Sequence, residues 1–168
     1  MCILKNKKTE KKLYCLLTQL GYNFSEFKSS KKYRIIFQKL VYAMQRNGFN
    51  FGYSYNLYIN GPYCPELASK GYDMVAHLDE FETDPTPFVL SVSGEAKLEK
   101  VKQYLDNNYD DSDWLETIAT LDFLKNEFFD TDTSKEVIFA KFATIKPHLY
   151  QGHEMTLSRA WELVEGVQ

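Results

Sequence analysis

The stretch NGPYCPEL, residues 60–67, places a thiol where chemistry is conceivable. Cys64 precedes Pro65, a residue suited to the first position of a helix, and a helix N-terminus lowers a thiol's pKa. A nucleophile also needs a base, and none of His77, His148 and His153 lies near Cys64 in sequence. Cys64 is therefore read as a small apolar residue standing in for a hydroxyl cap, and Glu66 as a partner of the helix dipole. His148, after Pro147, is read as capping a helix end. Gly61-Pro62 ahead of a helix has the parts of a phosphate cradle. With neither GxxxxGK[ST] nor GxGxxG in the chain, it is read as a turn. Asp110, Asp111 and Asp113, and Asp130 with Asp132, cluster as cation ligands do, but lack the glycine and closing glutamate of a calcium loop. The cysteines (Cys2, Cys15, Cys64) form no CxxC pair and the histidines no HExxH. No catalytic residue, metal site or cofactor is expected.

A basic helix face carries more information. From Lys31 to Asn47 the apolar residues Tyr33, Ile36, Phe37, Leu40, Val41 and Met44 recur at core-facing helical spacing. The opposite side is assigned Lys31, Arg34, Gln38, Lys39, Tyr42, Gln45 and Arg46. Lys31, Arg34, Lys39, Tyr42 and Arg46 are the candidates for nucleic-acid contact, weighed against a merely solvated face. Residues 1–50 hold eleven Lys and Arg against Glu10 and Glu26, a net of +9, while residues 51–168 carry −12. Such asymmetry points to a nucleic-acid or charged-protein partner, or to two halves that neutralise one another. Asp106, Asp110, Asp111, Asp113 and Glu116 gather at one helix junction and are the candidates for binding a basic protein partner.

These residues need elements to hold them. A chain of 168 residues suffices for one compact domain, about 1–92 as a core and 93–168 as a helical part. Helices are expected at 9–21, 31–47, 65–81, 94–108, 112–128, 134–147 and 155–166, with Ser112 or Asp113 and Thr133 as caps. Residues 55–59 alternate as a strand does, and a second strand at 88–92 would pair with it. The fold class is α+β and mostly helical. No apolar run is long enough to span a bilayer, and MCILKNKKTEKK does not read as a signal peptide, so a cytoplasmic location is expected.

Two blocks carry a family resemblance. FQKLVYAMQRNGF (37–49), followed by YNLYINGPYCPEL (55–67), resembles the YwgA-like proteins and the related Panacea (SocA-like) antitoxin domains. LETIATLDFLKNE and AWELVE are similar to the helical tail of the YwgA-like group. The resemblance implies a winged-helix-like core in which Gly61, Pro62, Tyr63, Pro65 and Glu66 are architectural, turning a strand into a helix. Cysteine stands at position 64 where the pattern has serine. It implies no catalytic residues and an interaction module, antitoxin-like or defence-associated, whose partner is a toxin or a nucleic-acid-acting enzyme. A DNA-binding regulator, with residues 60–63 as a wing, is the alternative. Oligomeric state is not legible.

Overall fold

Ser30 opens the helix that organises the chain: its side chain accepts from Tyr33 N, and α2 runs Lys31–Arg46. The computed structural model describes the backbone of residues 2–166 and the side chains of residues 7–166, so those of Cys2 and Lys5 lie outside the described residues. Before α2 come α1 (Cys2–Gln19) and a short 3-10 turn (Phe24–Glu26). After it come β1 (Asn56–Tyr58), β2 (Gly61–Tyr63), α3 (Pro65–Ala76), α4 (Leu78–Thr83) and α5 (Val92–Tyr104). The chain continues through α6 (Ser112–Phe123), a π-helical turn (Leu124–Phe128), α7 (Lys135–Ile145), α8 (Pro147–Tyr150) and α9 (Glu154–Gly166). The protein is thus mostly helical with a small antiparallel sheet. Among the described residues, no helix is long and apolar enough to cross a membrane.

Two helices lie inside the protein rather than on it. In α2 every residue from 36 to 44 is buried, and around α6 so is every residue from 114 to 124. The predicted stripe of α2 faces an aromatic layer, where Phe37 meets Phe27 edge-on at 5.3 Å and Tyr22 at 5.8 Å. Its other side, expected in water, is covered by α6 and β2. Asp111 caps α6 by accepting from Asp113 N and Trp114 N, and α2, α7, α9 and β2 surround that helix. The larger of two buried clusters runs from Leu13 on α1 to Val164 on α9, and the smaller joins Tyr42, Ala119 and Phe123.

The sheet differs from the expected one. β1 pairs with β2, placing Leu57 opposite Pro62 across an Ile59-Asn60 turn. Gly61 follows with φ of +80°, a conformation natural to glycine. Local hairpin closure gives β1 its partner, so residues 88–92 form no strand, and Val92 already belongs to α5. The helix expected over 65–81 breaks at His77, whose φ of −124° separates α3 from α4. That over 134–147 breaks at Lys146, because Pro147 cannot continue a helix and begins α8 instead. His148 lies inside that short helix rather than at an end. Gly71, a weak helix former inside α3, has a packing reason. A Cβ there would lie 2.5 Å from Phe27 Cζ.

Candidate functional site

The two motif blocks are halves of one hydrogen-bonded device. Gln38 and Lys39, adjacent on α2, both reach the segment that leads from β2 into α3. Gln38 Nε2 donates to Cys64 O at 2.9 Å, and Cys64 N donates to Gln38 Oε1 at 3.0 Å. Lys39 Nζ donates to Pro62 O at 2.6 Å. Proline has no N–H, so the Leu57–Pro62 pair is not a hydrogen-bonded one, and at such a pair the carbonyl points away from the partner strand. That leaves Pro62 O free for the lysine. Cys64 Sγ accepts from Leu67 N at 3.4 Å, which makes the cysteine the N-cap of α3. It is buried and tied down at both backbone groups, so a nucleophile is not what this position supplies.

A second lysine completes the cluster. Lys146 Nζ donates to Glu116 Oε1 at 2.6 Å and to Ile59 O in the hairpin turn. Asn60 Nδ2 reaches Glu116 Oε2 at 3.3 Å. Lys39, Glu116 and Lys146 are each under 5% exposed, so two buried amines share the field of one carboxylate. Burial drives the Lys39 amine down to about 7; Glu116 opposes the shift and Lys146 adds to it. The buried Thr120 hydroxyl presses on the turn, since a Cβ on Gly61 would lie 2.4 Å from Thr120 Oγ1.

One turn further along α2 is a second polar cluster. Tyr42 OH donates to Asp122 Oδ1 at 2.9 Å. Arg46 Nε approaches the same oxygen at 2.6 Å, an ion pair off the line of a hydrogen bond. Burial pushes the Asp122 carboxyl up, against the pull of Arg46 and Tyr42. Burial likewise raises the Tyr42 and Tyr104 hydroxyls.

The basic face is therefore corrected. Lys39 and Tyr42 are buried and bonded inside the protein, and Arg46 is turned onto Asp122. Arg34 donates to Phe27 O and Lys28 O, each at 3.0 Å, while Lys31 stays exposed. These two line a groove of about 330 Å³ with Asn60, Tyr63 and Tyr72. In the motif, Gly61 and Pro62 are buried, Tyr63 meets Tyr58 edge-on at 5.2 Å, and Pro65 and Glu66 open α3.

The acidic set divides as well. Glu116 is withdrawn into the core on Lys146, and exposed Asp106 is paired with Arg159 at 2.7 Å. Asp110, Asp111 and Asp113 remain exposed. Among the described residues, none of them forms an ion pair with Lys28, Lys31 or Lys32. Some of the charge asymmetry is internal, since Lys7 pairs with Glu80 and Lys11 with Asp84.

Sequence reasoning missed Lys146, Asp122 and Thr120. Lys146 had one signal, a lysine trapped between the end of a helix pattern and Pro147. Asp122 had another, an acid inside the apolar run 114–124. Comparison with protein-family models, curated proteins and solved structures found no match to this chain.

Proposed function

We propose that the chain is a non-catalytic protein-interaction module, antitoxin-like in the sense of the resemblance carried by 37–49 and 55–67. The buried lysines and carboxylates are architectural in this reading, and the exposed surface does the work. The observation that carries it is the exposed acid group at the start of α6, where Asp110, Asp111 and Asp113 form no ion pair with Lys28, Lys31 or Lys32 among the described residues. An unneutralised acidic patch speeds encounter with a basic partner and can occupy a groove shaped for phosphates. In the same reading α2, the β1–β2 hairpin and α3 serve as the winged-helix-like core that the resemblance implies, and the exposure of Ile59, 87% at the hairpin tip, supports a wing there.

Capture from an extract of the native host tests the reading. Asp110→Lys with Asp113→Lys reverses the patch while sparing the Asp111 cap. The wild-type chain should retain a basic partner and the double variant should lose it at unchanged unfolding midpoint; equal retention defeats the proposal. One observation favours DNA as a second reading: the groove in which Lys31 and Arg34 stand with two tyrosines. It requires affinity that falls with salt at a log–log slope of about −0.9 per neutralised phosphate and weakens in Lys31→Glu with Arg34→Glu.

A further inference from the structure

Residues 84–91 join α4 to α5 and are pinned at both ends. The Asp84 carboxylate accepts from Thr86 N at 2.9 Å and from Lys11 Nζ, which also donates to Thr86 O at 2.7 Å. At the far end the Ser91 hydroxyl accepts from Gly94 N at 3.1 Å, and Leu90 packs against Gly94. Between the pins, Phe88 and Leu90 are half-buried on the core, while Pro87, Val89 and Ser91 are exposed. That two-residue alternation belongs to a strand. Yet among the described residues, the backbone N–H and C=O groups of Phe88, Val89 and Leu90 make no hydrogen bond within the protein. Val89 itself is 81% exposed. The segment is an unpaired edge held in place.

A cavity of about 660 Å³ runs beside it. Phe49, Phe88 and Leu90 give it an apolar lining. Its charge comes from Lys8, Lys11, Lys12 and Lys97, and among the described residues no carboxylate lines it. Lys11 is committed to Asp84. Lys8, Lys12 and Lys97 have no carboxylate at ion-pair distance among the described residues, and Lys12 stands over the Phe49 ring at 5.3 Å.

We propose that residues 88–90 are the docking edge for an extended acidic peptide of a partner protein. The peptide adds as a strand, and the alternate side chains on its cavity-facing side are of two kinds, carboxylates facing Lys8, Lys12 and Lys97 and apolar groups against Phe49, Phe88 and Leu90. Main-chain bonds supply the affinity of strand addition and the alternate side chains its specificity. The edge offers both donors and acceptors, which a peptide backbone complements and a phosphate chain, bearing acceptors alone, does not. The lysines select acidic sequences by complementarity. This surface is separate from the acids at the start of α6, and its test does not depend on them.

Fluorescence anisotropy of the full chain decides the matter, using a labelled peptide of about nine residues in which Val and Glu take turns at every second position and Thr fills the positions between. The acidic peptide should bind, and its Lys-for-Glu counterpart should bind at least about tenfold more weakly. Backbone N-methylation on one alternate set of residues should abolish binding, and on the other set should be tolerated. Val89→Pro removes an unpaired N–H at an exposed position, so the unfolding midpoint should hold while affinity drops about tenfold. Lys12→Glu with Lys97→Glu should act likewise without touching the edge. Equal binding of the two peptides, tolerance of both methylation patterns, or tighter binding of single-stranded DNA overturns the proposal. So does a dimer of the protein alone that Val89→Pro dissociates, because the occupant is then a second copy.

Discussion

Lys39→Met keeps the length of the side chain and removes its amine, which makes it the sharpest probe of the buried cluster. Burial holds that amine at about 7 in the folded protein against an ordinary value of 10.5. The unfolded chain therefore keeps a proton that the native chain releases, throughout the interval between those values. Where the unfolded state binds more protons, stability rises with pH. Below about pH 7 both states are charged and the cost of burial is complete, on the order of 5 kcal/mol. From about pH 7.5 to about pH 9.5 the same linkage returns about 2–3 kcal/mol to the native state. The variant has no such group, although it strips Pro62 O of its donor at about 1–3 kcal/mol. That second effect does not vary with pH, so it displaces the curve without tilting it.

Urea unfolding followed by circular dichroism, on both proteins across this interval, gives the difference curve. Wild-type stability should climb relative to the variant by about 2–3 kcal/mol with unchanged m-values. The window stops near pH 9.5 because burial raises the Tyr22, Tyr42, Tyr55 and Tyr104 hydroxyls. Their contribution is complete below about pH 10 and is lost above it, in both proteins alike. Parallel curves for the two proteins would refute the assignment of a neutralised amine to position 39.

Glu116→Ala leaves the Lys146 ammonium buried without its carboxylate and should cost about 3–5 kcal/mol in the same unfolding assay. Glu116→Leu combined with Lys146→Met should recover most of that loss; failure to recover would mean the pair does more than cancel itself. Gly61→Ala places a Cβ against Thr120 Oγ1 at a φ of +80°, and should lower stability by about 2 kcal/mol or more. A midpoint within error of wild type would show that the turn has slack.

Sequence and structure agree most closely where the cause is local. The α2 boundaries follow from Ser30 and Asn47-Gly48, and Cys64-Pro65 starts α3 as the turn chemistry requires. At α6 and α7 the caps are Asp111 and Ser134, each one residue from an expected position. Disagreement appears where a second layer decides. Lys39 and Tyr42 fall on the side of α2 opposite the apolar stripe, and periodicity assigns that side to water. It cannot register that α6 and the hairpin pack there. The 88–92 segment shows the same limit: its strand character was legible, but pairing depends on which edge is nearest, and β2 reaches β1 first.

The placement of the polar residues has a physical logic that joins these cases. An isolated hairpin whose strands span only Asn56–Tyr58 and Gly61–Tyr63 is marginal in water. This one is held from outside at successive points: Lys146 on Ile59 O, Glu116 on Asn60, Lys39 on Pro62 O, and Gln38 on both backbone groups of Cys64. Apolar contacts specify this register only weakly, because Leu57 is half-buried while Asn56, Tyr58 and Ile59 are exposed. Directional bonds at Ile59, Asn60, Pro62 and Cys64 distinguish one register from its neighbour. Buried ion pairs contribute little net stability, and retention for specificity is the better-attested reason to keep them. In this chain their product is a fixed hairpin, with Ile59 at its tip and Cys64 ready to cap α3.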